Sequence, residues 1–206
     1  MNKSVIIIFI LSVFFGNAFS QNINDVFADM PEDIIPGLSE DVKNVFLDDT
    51  SSTTVSSLFG EIKRTAHTAD CLKLETSDKG TVQIKLLSQT AAAPIICVIK
   101  TVCAPACDSN IRFYSNEWEP LNRHDFLPDV EGSKMLAAAN KEKLIEDYGW
   151  LLPDIYFISA EFVSGSDDLF LKLNLENYLS REQYNEMKQV FGNDELLLKW
   201  KNNKFE

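Results

Sequence analysis

Apolar residues at every second position mark the middle of the chain. Residues 71–75 and 81–86 alternate between apolar and mostly polar side chains, as strands with one buried and one solvated face do. The polar residues 77–80 between them predict a hairpin turn. Residues 95–102 are apolar on both faces, which predicts a central strand covered on both sides, and residues 111–115 predict the strand that follows it.

A second group of strand patterns lies towards the end of the chain. Residues 156–163 and 169–175 predict a hairpin, because leucines occupy one face of the second segment and the polar residues 164–168 supply a turn. Residues 196–200 predict a last strand. Residues 50–57 are almost all Ser or Thr and predict an exposed linker or an edge strand, since hydroxyl side chains bury little apolar area.

Helical patterns are fewer. Ser39 precedes two acidic residues and an apolar stripe, so a short helix is expected after it, whereas prolines limit residues 23–30 to a helical turn or two. Apolar residues spaced by four predict a helix within 132–148. Ser180 and Gln183 form a capping box that predicts the start of a C-terminal helix.

The order of these elements indicates the fold class. Strands follow one another through short turns instead of alternating with helices, which predicts an α+β fold with a mainly antiparallel sheet of about seven strands and a few helices packed on one face. A chain of 206 residues with 45% apolar side chains has room for one core. We therefore expect a single α+β domain over residues 21–206.

The first twenty residues have the order of a secretory signal peptide. A short basic start ends at Lys3, residues 5–15 are almost entirely apolar, and the small residues Ala18 and Ser20 precede Gln21. A transmembrane anchor needs about 20 apolar residues, more than this run supplies. The sequence predicts cleavage before Gln21 and an exported protein without a transmembrane anchor, in the periplasm, at the outer-membrane surface or outside the cell.

Acidic residues outnumber basic ones. The chain has 31 Asp and Glu against 19 Lys and Arg, a formal net charge of −12. Because this charge repels a phosphate backbone, we expect no nucleic-acid partner.

The four cysteines suggest a disulfide more strongly than a metal site. Cys103 and Cys107 flank a short turn and are a candidate disulfide, while Cys97 is expected in a buried strand and Cys71 either joins it or stays free. A zinc site from His67, Cys71 and the other pair is the alternative. Its spacing matches no common zinc module and oxidation competes for the thiols, so we expect no metal and no cofactor.

Candidate catalytic groups are sparse. The chain has two histidines, and His124 with Asp125 could form part of a hydrolytic triad. No Gly-x-Ser-x-Gly motif and no glycine-rich phosphate loop accompany them. A hydrolase that uses His124 and carboxylates is therefore an alternative, and a non-enzymatic protein is favoured.

An aromatic cluster offers a binding surface instead. Phe113 and Tyr114 point to opposite faces of one predicted strand, and Trp118 follows them. Exposed aromatic side chains bind sugars or proteins through rigid apolar area with a polar tip. Tyr114 and Trp118 are the candidate binding residues if they are exposed.

Several short motifs are spread over the whole chain: Met30-Pro31, Pro36, Leu38, Ile96-Cys97-Val98, Thr101, Phe113-Tyr114, Trp118, Leu198 and Trp200. In these positions the chain resembles an uncharacterised family of exported proteins from Bacteroidales, a domain of unknown function. The resemblance implies a Gram-negative cell envelope as the location. It implies no catalytic residue, substrate or cofactor.

The leading functional hypothesis is a non-enzymatic module that binds a protein or glycan of the cell envelope. Sheet and aromatic patterns are abundant, whereas reactive groups that could converge are few. Besides the hydrolase, a second alternative is a structural subunit of a surface assembly, in which a partner completes an unpaired strand near residues 50–58.

Overall fold

A meander of seven antiparallel strands forms the main sheet of the protein. The computed structural model describes residues 22–48, 53–57, 60–88, 93–130, 135, 146–147, 149, 156–191 and 194–206. The strands pair in chain order: β1 (Thr54–Ser57), β2 (Gly60–His67), β3 (Cys71–Ser77), β4 (Gly80–Leu87), β5 (Ile95–Cys103), β6 (Cys107–Tyr114) and β7 (Pro120–Leu121). This architecture confirms the predicted antiparallel α+β fold. The predicted signal peptide and most of the helix predicted within 132–148 lie outside the described residues.

Two helices cover one face of this sheet. Helix α1 (Ile23–Ala28) begins at Asn22, whose Oδ1 accepts hydrogen bonds from the N–H groups of Asn24 and Asp25 at 2.8 and 3.1 Å. Helix α2 (Glu40–Leu47) follows Ser39 as predicted, although the Ser39 side chain makes no capping bond. The apolar faces of both helices pack on the alternating residues of β3, β4 and β5 that point towards them.

A second, three-stranded antiparallel sheet lies on the opposite face. It contains β8 (Ile158–Phe162), β9 (Leu169–Leu173) and β10 (Glu195–Leu198), with β9 in the middle. Buried leucines of β9 pack on residues of β5 and β6 that alternate with those facing the helices. Strand β5 is therefore covered on both faces, as its sequence predicted.

The chain ends in a helix and a small hairpin. Helix α3 (Arg181–Phe191) starts at the predicted capping box, where Ser180 N donates to Gln183 Oε1 at 2.9 Å and Gln183 N to Ser180 Oγ at 3.2 Å. Strands β11 (Trp200–Lys201) and β12 (Lys204–Phe205) form the hairpin.

Strand β8 rests on the main sheet through its free edge. The N–H groups of Ile158, Ala160 and Phe162 point away from β9 and donate to side chains of the main sheet. Their acceptors are Asp108 Oδ1 at 3.1 Å, Ser109 Oγ at 2.9 Å and Gln83 Oε1 at 3.2 Å, respectively. Because the edge of β8 contacts the main sheet, one face of the small sheet packs into the core and the other face points away from the core.

Two details differ from the sequence-based expectation. Strand β2 was not predicted, because Ile62 is its only large apolar residue and the strand pairs with the edge strand β1. The strands after residue 156 were counted with the first group but form a separate sheet, and this sheet covers the face of the main sheet opposite the helices.

No helix among the described residues is long and apolar enough to cross a membrane.

Candidate functional site

A cleft of about 840 Å³ lies where the small sheet leaves the main sheet uncovered. Strands β3 and β4 supply one side with Cys71, Lys73, Gln83 and Lys85, and the β8–β9 hairpin supplies the other with residues 161–166 and 170. We call this space the hairpin cleft. Its existence follows from the edge-on contact of β8, which covers β5 and β6 but not β2 and β3.

Lys85 fixes one end of the hairpin cleft. Its side chain is only 4% exposed, and its Nζ lies 2.6 Å from Asp70 Oδ2 and 3.2 Å from Asp167 Oδ1. Asp70 belongs to the turn between β2 and β3, and Asp167 belongs to the turn between β8 and β9. Ser88 Oγ donates to Asp167 Oδ2 at 2.8 Å as well. One buried ammonium thus joins the two sheets.

The two carboxylates keep Lys85 charged. Burial by itself lowers the pKa of Lys85, but the hydrogen bonds and charges of Asp70 and Asp167 outweigh it, so the pKa lies above its ordinary value. Burial raises the pKa of Asp70, yet the hydrogen bonds from Lys85 and Thr68 dominate and the pKa falls below its ordinary value. The ion pair is therefore fully formed at neutral pH.

This pairing predicts how stability depends on pH. Because the pKa of Asp70 is lowered by folding, its contribution is present above the ordinary value of 3.8 and is lost as the pH falls through the lower folded value. Asp70 is half exposed, so Asp70→Asn is expected to reduce the free energy of unfolding by up to about 1 kcal/mol at pH 7. Urea unfolding at pH 7, 5 and 3 should show this difference shrinking in acid. A difference that is the same at all three values would contradict the assignment.

The open face of the small sheet supplies an aromatic ring and an acid to the cleft. Phe170 and Glu161 are cross-strand partners on β9 and β8. Across the cleft, Lys73 Nζ on β3 lies 3.6 Å from Glu161 Oε2. An ion pair and a half-buried ring therefore lie together in the hairpin cleft.

The free cysteine of the cleft is not an activated nucleophile. Burial raises the pKa of Cys71, so its thiol stays protonated at neutral pH. Cys97 is buried on the same face of the sheet, two strands away, with Lys85 of β4 between the two cysteines in register. The intervening strand keeps both thiols free, which settles the alternative that Cys71 joins Cys97.

Comparison with known proteins identifies the family. A family model described as "Protein of unknown function (DUF3256)" matches residues 16–205. The chain belongs to this family. No curated protein shows a matching sequence.

A solved structure shares the fold of this DUF3256 chain. It is a domain of an uncharacterized protein from Porphyromonas gingivalis W83, a member of the Bacteroidales, with 21% sequence identity and a TM-score of 0.73. The match covers 89% of this chain and 96% of that chain. These findings confirm a domain of unknown function with a structural neighbour from the Bacteroidales.

Tyr114 and Trp118 do not form an exposed surface in this DUF3256 member. They are 5% and 7% exposed, and their rings lie 5.4 Å apart beneath helix α1. Trp118 Nε1 donates to Val26 O of α1 at 3.1 Å. The polar tip of the indole is satisfied inside the core, so the expectation that these residues present exposed aromatic area is corrected. Phe113 packs on the opposite face, as predicted.

The predicted disulfide between Cys103 and Cys107 is present at the turn between β5 and β6. It removes two of the ligands from the zinc alternative. His67 is also separated from Cys71, because its Nε2 lies 2.7 Å from Asn24 Oδ1 on the helix side of the sheet whereas Cys71 faces the hairpin cleft. The four residues of that alternative do not converge.

His124 lies in an exposed turn away from the hairpin cleft. Its Nδ1 is 3.1 Å from Asp129 Oδ1, and both side chains are exposed. Asp125 accepts instead from Asn122 Nδ2 at 3.3 Å, so the His124–Asp125 pair does not form the imidazole–carboxylate contact of a triad.

Replacing both histidines is expected to affect stability more than function. His67→Ala removes the contact with Asn24 and should cost about 1–2 kcal/mol. His124→Ala removes a surface pair and should cost less than about 1 kcal/mol. The double variant should retain ligand binding at a temperature where circular dichroism shows it folded. Loss of all function in a folded double variant would favour the hydrolase.

Sequence reasoning did not single out the residues that line the hairpin cleft. Lys73 and Lys85 occupy the polar positions of alternating strands, where solvation is the usual outcome. Phe170 stands between leucines in a strand predicted to be half buried. Only the placement of the second sheet distinguishes these positions from ordinary surface residues.

Proposed function

We propose that the protein is exported to the cell envelope or beyond it and acts there as a non-enzymatic binding module whose ligand occupies the hairpin cleft. The single observation that carries the proposal is the cleft between the two sheets, lined by polar, charged and aromatic side chains. Concave sites of this size with a few polar groups are the usual place for a ligand in a protein.

Two features support export. Residues 1–20 have the basic, apolar and small-residue order of a signal peptide. The disulfide between Cys103 and Cys107 suits an oxidising compartment, where such bonds form and persist. The periplasm, the outer-membrane surface and the extracellular space all meet this condition.

N-terminal sequencing tests this part of the proposal. Protein recovered from the envelope or the medium is expected to begin at or near Gln21, because positions 18 and 20 carry small residues. Exported protein that still begins at Met1 would contradict it.

The charges in the cleft favour binding over catalysis. Asp70 pairs with Lys85, Glu161 with Lys73, and Glu75 with Lys63 at 3.8 Å. A catalytic acid or base is typically held near the pH at which it works, whereas the pKa of Lys85 is raised and that of Asp70 is lowered. Lys85 and Asp70 therefore stay charged at neutral pH and suit fixed polar contacts.

A matched pair of substitutions tests the location of the site. Val163 lines the hairpin cleft and Val102 lies outside it, and both are exposed. Val163→Trp fills the cleft, so it should reduce the amount of solubilised envelope material bound by the immobilised mature protein by at least about fivefold. Val102→Trp should leave that amount within about twofold of the wild type.

The comparison is made on variants with matched thermal unfolding. If Val163→Trp and Val102→Trp bind the same amount as the wild type, the hairpin cleft is not the ligand site. If both lose binding equally, the effect is not specific to the cleft and the proposal fails as well.

A further inference from the structure

Among the described residues, the strands around the hairpin cleft offer no free backbone edge for an extended peptide. Within the described part of the chain, β2 is paired with β1 and β3, and β3 with β2 and β4. The outward N–H groups of β8 donate to Asp108, Ser109 and Gln83. Recognition of a peptide by strand addition needs an unpaired edge, so the cleft lacks the main source of affinity for that mode.

Side chains supply the polar contacts of the cleft instead. The two walls carry the hydroxyls of Thr65, Thr68, Ser164 and Ser166 beside the Lys73–Glu161 pair. Hydroxyls both donate and accept, carboxylates accept at two oxygens, and an ammonium donates. This set matches the hydroxyl groups of a sugar, each of which both donates and accepts a hydrogen bond.

Phe170 provides an apolar platform within this polar set. Its ring lies on the open face of the small sheet, with Glu161 as its cross-strand neighbour and Lys73 across the cleft. A pyranose ring has one face of C–H groups and a rim of hydroxyls. The C–H face can stack on the phenyl ring, while the rim reaches the carboxylate and the ammonium on either side.

The charge of the site restricts which sugars fit. The lining contains Asp70, Glu75 and Glu161 against Lys73 and Lys85, and the whole chain carries a net charge of −12. Lys85 is already neutralised by its two carboxylates. An acidic glycan would meet net repulsion, whereas an uncharged one would not.

We infer that the ligand of the hairpin cleft is an uncharged saccharide that stacks on Phe170 and exchanges hydrogen bonds with Glu161 and Lys73. The inference rests on the proposed function, because it names the ligand class of the same cleft. Binding would separate the Lys73–Glu161 pair by placing sugar hydroxyls between its members. Both side chains are partly exposed, so their solvation makes this rearrangement inexpensive.

An oligosaccharide array tests the ligand class with the mature protein. The array carries uncharged oligosaccharides, uronic-acid oligosaccharides and sulfated oligosaccharides, and a panel of random decapeptides is measured beside it. We expect binding to uncharged oligosaccharides only. Phe170→Ala should weaken this binding by at least about tenfold, and Glu161→Gln by about fivefold.

Two variants outside the cleft serve as controls. Tyr178→Ala removes an exposed aromatic ring, and Asp129→Asn removes the exposed acid of a surface pair. Both should bind uncharged oligosaccharides within about twofold of the wild type. If Phe170→Ala does not fold, the inference is tested by comparing the binding of uncharged oligosaccharides to Glu161→Gln and to Asp129→Asn.

The outcomes separate the inference from the proposed function. Binding of decapeptides or acidic oligosaccharides that Phe170→Ala or Glu161→Gln abolishes would overturn the saccharide class and keep the cleft as the site. Binding of uncharged oligosaccharides that all four variants retain would overturn the role of Phe170 and Glu161 together with the cleft as the site. Absence of binding to every probe would overturn the saccharide inference, and the Val163→Trp comparison would then decide the proposed function by itself.

Discussion

Replacing Asp70 and Asp167 together with Asn is expected to lower the free energy of unfolding by about 3–5 kcal/mol. The double variant leaves the ammonium of Lys85, which is 4% exposed, without either carboxylate partner. A buried charge that loses its partners keeps its desolvation cost and gains nothing in return. Urea unfolding at pH 7 measures the difference.

The complementary variant Lys85→Met should cost less, under about 2 kcal/mol, because it leaves no buried charge. The carboxylates that remain are 50% and 24% exposed at Asp70 and Asp167, so water can solvate them. The decisive result is which of the two variants has the lower free energy of unfolding. If Lys85→Met destabilises the protein more than the double Asn variant does, the ammonium is not the group whose burial requires compensation.

Replacing Trp118 with Ala is expected to cost about 3–5 kcal/mol, which makes it the second large effect. The substitution empties a site in the core beside Tyr114 and leaves Val26 O without its indole donor. Because the ring is buried, its loss should act on stability and not on an exposed binding surface. Tyr178→Ala, which removes an exposed ring, should cost about 1 kcal/mol or less.

The backbone of Trp118 adds a specific check. Its φ is 63°, in the left-handed region that disfavours an L side chain by about 1–2 kcal/mol. Trp118→Gly is therefore expected to be no less stable than Trp118→Ala, although glycine is normally the more destabilising of the two. Thermal unfolding of the two variants gives the comparison. A clearly less stable glycine variant would contradict the left-handed backbone at this position.

The strand alternation of the main sheet could be predicted because burial enforces it. Val82, Ile84 and Leu86 point to the helices, and a shift of one residue would place them on the opposite face. The apolar run of β5 likewise indicated a strand covered on both faces. Turn residues and the capping box were equally informative, because their backbone geometry depends on local sequence.

The hairpin cleft could not be predicted, because it arises from the position of the small sheet on the main sheet. Three side chains of the main sheet accept hydrogen bonds from the edge of β8 and hold it there. Nothing in the sequence around Gln83 or Ser109 indicates that these side chains accept hydrogen bonds from another strand. Lys85 illustrates the same limit, since a lysine in an alternating strand is usually solvated and here joins two sheets.

Tyr114 and Trp118 were candidate binding residues if exposed, and the sequence could not show that they are buried, for a related reason. Tyr and Trp have a large apolar body and a polar tip, so they suit a core and a binding surface equally well. Trp118 became a core residue because helix α1 presents the carbonyl of Val26 to its indole N–H. The position of α1 over β6 and the following turn is a tertiary fact that no local pattern contains.

The proposed role of the hairpin cleft as the ligand site can be measured by amide hydrogen exchange of the mature protein, with and without solubilised envelope fraction. We expect slower exchange in the presence of that fraction at residues 68–75 and 161–170, which form the two walls. Slower exchange confined to the edge strand Thr54–Ser57 or to the turn around His124, with the cleft walls unchanged, would contradict it.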